Sequence, residues 1–188
     1  MSEIPPYADI KDRLSLRQKA GQLFMPAAYI NDGEPEIRAL ESLLQTFEVG
    51  ALCFFHSRAS AATNFEGPQQ VPYNEDSLGR LRQLIRRYQN AARYPLLIAM
   101  DAEWGLAMRV EHAPRYPYAL ALGALRTSSD HLIYDLGLRM AQDCREAGIH
   151  LNLAPVADIN ANPDNPVIGY RAFGSEPEAV GRKAVLLH

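Results

Sequence analysis

The sequence predicts an α/β fold, with four strand–helix units laid on one parallel sheet. Three observations predict it. Four short apolar runs punctuate the 188 residues, at "AGQLFMPAA", "VGALCFF", "PLLIAMD" and "IHLNLAPVAD". A stretch with helical spacing follows each run, and strand-then-helix repeated builds parallel sheets through right-handed crossovers. The longest loops, Ser57 to Asn74, Ala102 to Tyr118 and Ile159 to Ser175, all leave the carboxyl ends of expected strands. That edge is where parallel α/β folds place binding sites, in open sheets and closed barrels alike.

The elements follow in order. Strand one is expected from Gly21 to Ala28, stopped near its end by Pro26. Helix one runs from Glu34 to Phe47, with Pro35 in the first turn, where proline is favoured. Strands two (Val49 to Phe55) and three (Pro95 to Asp101) are almost continuously apolar, as expected of strands covered on both faces. Helix two, Glu75 to Arg93, sets Leu78, Leu81, Ile85 and Tyr88 at three- and four-residue steps. Its other face, with Arg80, Arg82, Arg86 and Arg87, reads as a solvated helix face rather than a nucleic-acid surface. Helix three spans Ser128 to Gly148, with Ser129 or Asp130 as N-cap and Gly148 as its stop. Strand four is expected from Ile149 to Asp158, and helix four opens at Ser175 as N-cap with Pro177 early in it. An open four-stranded sheet and half of an eight-stranded barrel share this pattern. The sequence stops at "AVLLH" with no cap, glycine or proline, which favours the half barrel.

Composition narrows the classes. Hydrophobic residues at 47% supply a sizeable core, and 22% charged residues are ordinary for a globular protein. A net charge of −3 without a basic block argues against nucleic acid and anionic membrane as partners. No apolar run approaches the ~20 residues needed to span a bilayer, and the start lacks the pattern of a signal peptide, so a cytoplasmic location is expected. Cys53 and Cys144 sit in apolar or helical patterns and read as buried free thiols. The five histidines have no metal spacing; neither metal nor other cofactor is expected.

The chemistry concentrates in "LLIAMDAEWGLAMRV", where a buried-looking strand runs into charges. Asp101 ends strand three. A carboxylate there either meets a ligand or holds loop amides as a turn aspartate. Glu103 and the lone indole of Trp104 suit a sugar, whose C–H face packs on an aromatic ring while its hydroxyls bridge to acids; a lone Trp is more often core than platform. Arg109 is expected to pair with Asp101 or Glu103 if buried. Arg171, in "NPVIGYRAFGSEP", offers a planar fork of donors on another strand-end loop. His56, after "LCFF", reads as a surface histidine, and Asp158 as holding the loop after strand four. Neither a phosphate-cradling glycine loop nor a G-x-S-x-G elbow occurs.

At these residues the chain resembles glycoside hydrolase family 3. "LSLRQKAGQLFM" is similar to the family's L-x-x-K-x-x-Q-L, and "MDAEWGLAMRV" to the D-x-E-G-G-R-x-x-R of bacterial β-N-acetylglucosaminidases. "LNLAPVADIN" and "NPVIGYRAFGSEPEAV" resemble F-A-P-V-x-D-V and I-G-x-R-S-F-x-x-D-P. The resemblance implies the first four βα units of a (β/α)8 barrel of the TIM type, with residues 1–188 as the N-terminal part of the catalytic barrel domain. It implies that Asp101, Arg109 and Arg171 bind one sugar. Trp104 stands where the family has the first glycine of E-G-G, and Leu106 replaces the arginine after it. Glu103 favours the N-acetylglucosaminidase branch over the β-glucosidases, whose motif is D-x-V-H-G. The family retains configuration through an aspartate nucleophile and, in this branch, a histidine following K-H-x-P-G-H-G. Neither segment occurs here, so no catalytic residue is assigned; both are expected beyond His188.

Three functions compete: the amino-terminal part of a retaining β-N-acetylhexosaminidase, inactive alone and completed by the remainder of its barrel; a half barrel that binds carbohydrate without cleaving it; and a structural α/β domain. A family 3 β-glucosidase is the alternative enzyme.

Overall fold

The computed structural model describes residues 6–61 and 70–188, so residues 62–69 of the loop expected after strand two lie outside the described residues. The chain divides into two compact units. The first holds the described residues up to Met100, with Arg109–His112 and Ala147–Leu151; the second holds Asp101–Met108, Ala113–Glu146 and Asn152–His188. Four strands, β1 (Ala27–Tyr29), β2 (Ala51–Phe55), β3 (Leu97–Met100) and β4 (Leu151–Asn152), form a sheet in the order β1-β2-β3-β4. β1 and β2 pair in parallel with Ala27 opposite Cys53, and β2 and β3 with Cys53 opposite Ala99. The helices are α1 (Tyr7–Ile10), α2 (Leu16–Gly21), α3 (Glu34–Phe47), α4 (Arg58–Ala61), α5 (Ser77–Ala91), α6 (Ala119–Gly123), α7 (Asp130–Ala147) and α8 (Pro177–Leu187). Among the described residues no helix is long and apolar enough to cross a membrane.

In the first unit the apolar strands and the inner stripes of α3 and α5 make one core. Leu52, Phe54, Ile98 and Met100 are fully buried, as are Ile37 and Leu44 of α3 and Leu81, Leu84 and Tyr88 of α5. Each such side chain contributes about 1.5–3 kcal/mol relative to exposure. The arginine face of α5 is only partly solvated. Arg87 is clasped by Glu34 (2.7 Å) and Glu41 (2.6 Å) of α3, which ties the two helices at their outer edge. The Arg87 bond first, and then a bond from Arg38 Nε to Glu34 Oε1 (2.9 Å), lower the Glu34 carboxyl to about 2.

Two strands differ from expectation. The first begins at Ala27, so Pro26 precedes it instead of ending it. A capping box, with the Ser15 N–H on Gln18 Oε1 (2.8 Å) and the Gln18 N–H on Ser15 Oγ (3.3 Å), starts α2. The helical turn then runs on, with Leu23 N–H on Ala20 O and Phe24 N–H on Gly21 O. Leu23 and Phe24 are consequently exposed: their hydrophobicity marks a surface, not a strand. The fourth strand is only two residues long, and side chains replace its backbone ladder. His150 N–H donates to Ile98 O (2.8 Å) while His150 Nδ1 accepts the Ile98 N–H (2.9 Å). Burial lowers the His150 pKa, which keeps that nitrogen an acceptor.

In the second unit α6, α7 and α8 close around Leu122, Ile133, Phe173 and Val180. Gly123 is required there, since a Cβ would lie 1.6 Å from Phe173 O. Lys183, only 2% exposed, donates to Leu122 O (3.2 Å) and Leu125 O (2.9 Å) at the end of α6, supplying the cation that a helix C-terminus favours. Asp130 opens α7, with its carboxylate on Arg182 (3.0 Å) and near Lys183 (3.6 Å). The N-cap of α8 is Glu176 rather than Ser175, and no side chain caps it. Gly148 does stop the third long helix, at φ +91°. Asp158, expected to hold the loop after β4, is exposed. That loop is closed by Asn160 N–H on Gly174 O (2.8 Å) and by turns on Asn162 and Asn165.

Candidate functional site

The loop after β3 is held from several sides. Ala102 is fully buried, and the Asn152 amide grips its peptide twice: Oδ1 accepts the Ala102 N–H (3.0 Å) and Nδ2 donates to Ala102 O (3.3 Å). Asp101 and Glu103 flank that clamped residue. Gly105 turns the chain at φ +83°, where a Cβ would meet the Tyr116 ring at 2.6 Å and Pro114 O at 2.9 Å. Tyr116 locks the same turn, its N–H on Trp104 O (3.0 Å) and its hydroxyl on Asp143 (2.6 Å). The loop is therefore a rigid platform for its charges.

Glu103, its side chain 9% exposed, takes the Arg171 guanidinium in a fork: Nε to Oε2 at 2.9 Å and Nη2 to Oε1 at 2.7 Å. Nη1 of Arg171 donates to Val167 O (3.1 Å). The Glu103 hydrogen bonds raise the Arg171 pKa above its ordinary value against the opposing effect of burial, and Asp101 and Tyr170 add to the rise. Asp101, Glu103 and Arg171 thus form one electrostatic group in the second unit. Arg109 belongs to the first unit, where its guanidinium lies over the Phe55 ring at 5.0 Å, a cation–π geometry. Trp104 touches Tyr118 edge-on, with centroids 4.9 Å apart.

The sequence reading missed a second polar cluster. His56 is not a surface residue: it is 8% exposed. Its Nε2 lies 2.5 Å from Glu111 Oε1 and 3.1 Å from Asn31 Nδ2, and its Nδ1 lies 3.2 Å from Ser57 Oγ. Asn74 donates its backbone N–H to Glu111 (3.3 Å) and its amide to Asn31 Oδ1 (2.8 Å). Burial opposes ionisation of Glu111, but Ser77 and His56 outweigh it and hold the carboxyl below its ordinary value. Glu111 Oε2 and Ser77 Oγ are both buried with no other partner, which suits each to the other. A histidine at a strand end was legible; its partner, 55 positions away, was not.

Among the described residues no group of three His, Cys, Asp or Glu side chains is arranged to hold a metal. Cys53 and Cys144 are buried and form no disulfide, as expected. Burial, and then Asp143, pushes the Cys144 thiol up to about 11, so it is a packing residue rather than a nucleophile.

The model of the glycosyl hydrolase family 3 N-terminal domain matches residues 15–187. The chain belongs to that family. Beta-hexosaminidase A of Pseudoalteromonas piscicida is 28% identical over 144 residues, which cover 75% of this chain and 22% of that protein. The beta-hexosaminidase of Idiomarina loihiensis is 34% identical over 116 residues, 59% of this chain and 34% of its own length. The chain thus spans about a third or less of these relatives. A solved beta-glucoside phosphorylase, BglX bound to 2FGlc, matches 96% of this chain and 28% of its own with a TM-score of 0.73 at 24% identity. The four βα units are therefore the part of a family 3 TIM-type barrel that this chain supplies.

Proposed function

We propose that residues 1–188 form the N-terminal part of the catalytic barrel of a retaining β-N-acetylhexosaminidase, which removes terminal N-acetyl-β-glucosamine from a carbohydrate. Asp101 and Arg171 of the second unit bind the sugar, and this segment contributes no catalytic residue. One observation carries the reading: the loop that the Asn152 amide clamps between Asp101 and Glu103 also holds the Arg171 guanidinium in a fork, setting carboxylates and a planar donor group suited to pyranose hydroxyls on one rigid support. The names of the two curated relatives and Glu103 in its motif support the N-acetyl preference. The remainder of the barrel is the proposed partner. Supporting it are β1 at the end of the strand order and an apolar cavity of about 580 Å3 lined by Phe24, Met25, Pro26, Phe47 and Val49. Two buried thiols that form no disulfide suit the cytoplasm as its compartment.

Calorimetric titration with N-acetylglucosamine tests the site. Binding by the chain and its loss in Asp101→Ala are expected, and heat unchanged by that substitution would refute the assignment. The chain alone should not hydrolyse an aryl N-acetyl-β-glucosaminide; turnover with retention would show that it contains a nucleophile and acid.

A further inference from the structure

We infer that Trp104, Tyr118 and Tyr170 form a stacking surface for a second pyranose, β-linked to the sugar proposed for Asp101 and Arg171. The inference rests on that reading of the charged group and extends it to a ligand of at least two residues. The three rings come from separate segments of the second unit: the clamped loop after β3, the residue preceding α6, and the turn before Arg171. They meet in one cluster. Tyr118 and Tyr170 lie 4.5 Å apart between centroids, Trp104 and Tyr118 4.9 Å, and Trp104 and Tyr170 6.3 Å.

This cluster is not a core. Tyr118 is 37% exposed and Tyr170 51%, so much of the apolar area that large rings normally bury is left open. Scattered exposed aromatics need no explanation, but contiguous ones mark a contact surface. The indole is not held by its own polarity either. Trp104 Nε1 is buried and has no hydrogen-bond partner among the described residues.

The neighbours identify the ligand. Tyr170 directly precedes Arg171, and Trp104 directly follows Glu103, so the ring cluster and the ionic fork are built on the same two backbone segments. Tyr170 and Asp101 both act on the Arg171 charge. Flat apolar faces beside a carboxylate group and a guanidinium match a pyranose, which has C–H faces and a hydroxyl rim. A lipid would have no use for the acids. A nucleobase carrying phosphate would be repelled by Asp101 and Glu103.

Trp104 is the only tryptophan in the chain, so its emission reports on this cluster alone. Titration with N,N′-diacetylchitobiose should change that emission and give an affinity about tenfold tighter than N-acetylglucosamine, a difference of about 1.4 kcal/mol. In Tyr170→Ala the disaccharide-to-monosaccharide ratio should fall towards one, while Tyr170→Phe, which keeps the ring, preserves it. A wild-type ratio of one, or a ratio unmoved in Tyr170→Ala, overturns the stacking surface and leaves the charged group standing. Absence of binding by either sugar overturns both. The wild-type titration decides the matter even if Tyr170→Ala does not fold.

Discussion

Two glutamates of this molecule meet cations or imidazoles in opposite ways. Glu111, in the first unit, faces His56, the Asn74 amide and the Ser77 hydroxyl, and the histidine is almost completely enclosed. Glu103, in the second unit, binds an arginine whose side chain is 30% exposed and which stands beside the open ring of Tyr170. The first cluster is turned inward, with Glu111 Oε2 and Ser77 Oγ both buried. The second is rigid on one side and open on the other. An acid at the mouth of a sheet is therefore not evidence of a site by itself; what separates the two is whether the partner group is enclosed, as His56 is, or reaches solvent, as Arg171 does.

That contrast can be broken most directly at Glu111. Glu111→Ala should destabilise the chain by about 3 kcal/mol, the scale for leaving buried hydrogen-bonding groups without their partner, read as a fall in the urea midpoint. A loss below 1 kcal/mol would mean that the cluster is not an anchor. Asn152→Ala comes next, at about 2 kcal/mol, because it strips both hydrogen bonds from the buried Ala102 peptide. It should also weaken N-acetylglucosamine binding, since Asp101 and Glu103 flank that peptide; unchanged sugar affinity would detach the clamp from the site.

Glu103→Gln should cost only about 1 kcal/mol of stability, because the Arg171 partner reaches solvent. Its effect belongs to sugar affinity, and a variant that unfolds instead would put Glu103 in the same class as Glu111. The smallest effect is one of pH. Glu111 holds its proton less tightly folded than unfolded, so its contribution is complete above the ordinary carboxyl value of 4.5 and is lost as pH falls through its lower folded value. Chemical denaturation across that window should show a shallower decline for Glu111→Gln than for wild type, and parallel declines would refute the linkage.

Local pattern made much of the scaffold legible. The expected bounds of the first long helix, Glu34 to Phe47, coincide with α3, because Pro35, the apolar stripe and the sequence after Phe47 all act within a few residues. β2 and β3 were visible as continuous apolar runs for the same reason. The first run misled because hydrophobicity does not say which residues are covered: Leu23 and Phe24 continue the turn of α2 and lie in the open. The fourth run misled because His150 and Asn152 pair through side chains, a substitution that no periodicity records.

By itself, then, the sequence determined the order of strands and helices, the family, and the loops on which charge would gather, since each depends on residues near one another in the chain. Tertiary structure alone decided which partner each acid met, an enclosed histidine or a partly exposed arginine. His56 finds Glu111 across 55 positions and Arg171 finds Glu103 across 68. Such pairings depend on where the sheet brings loop ends together and on how fully each carboxylate is then desolvated, and neither distance nor desolvation is a local property of the chain.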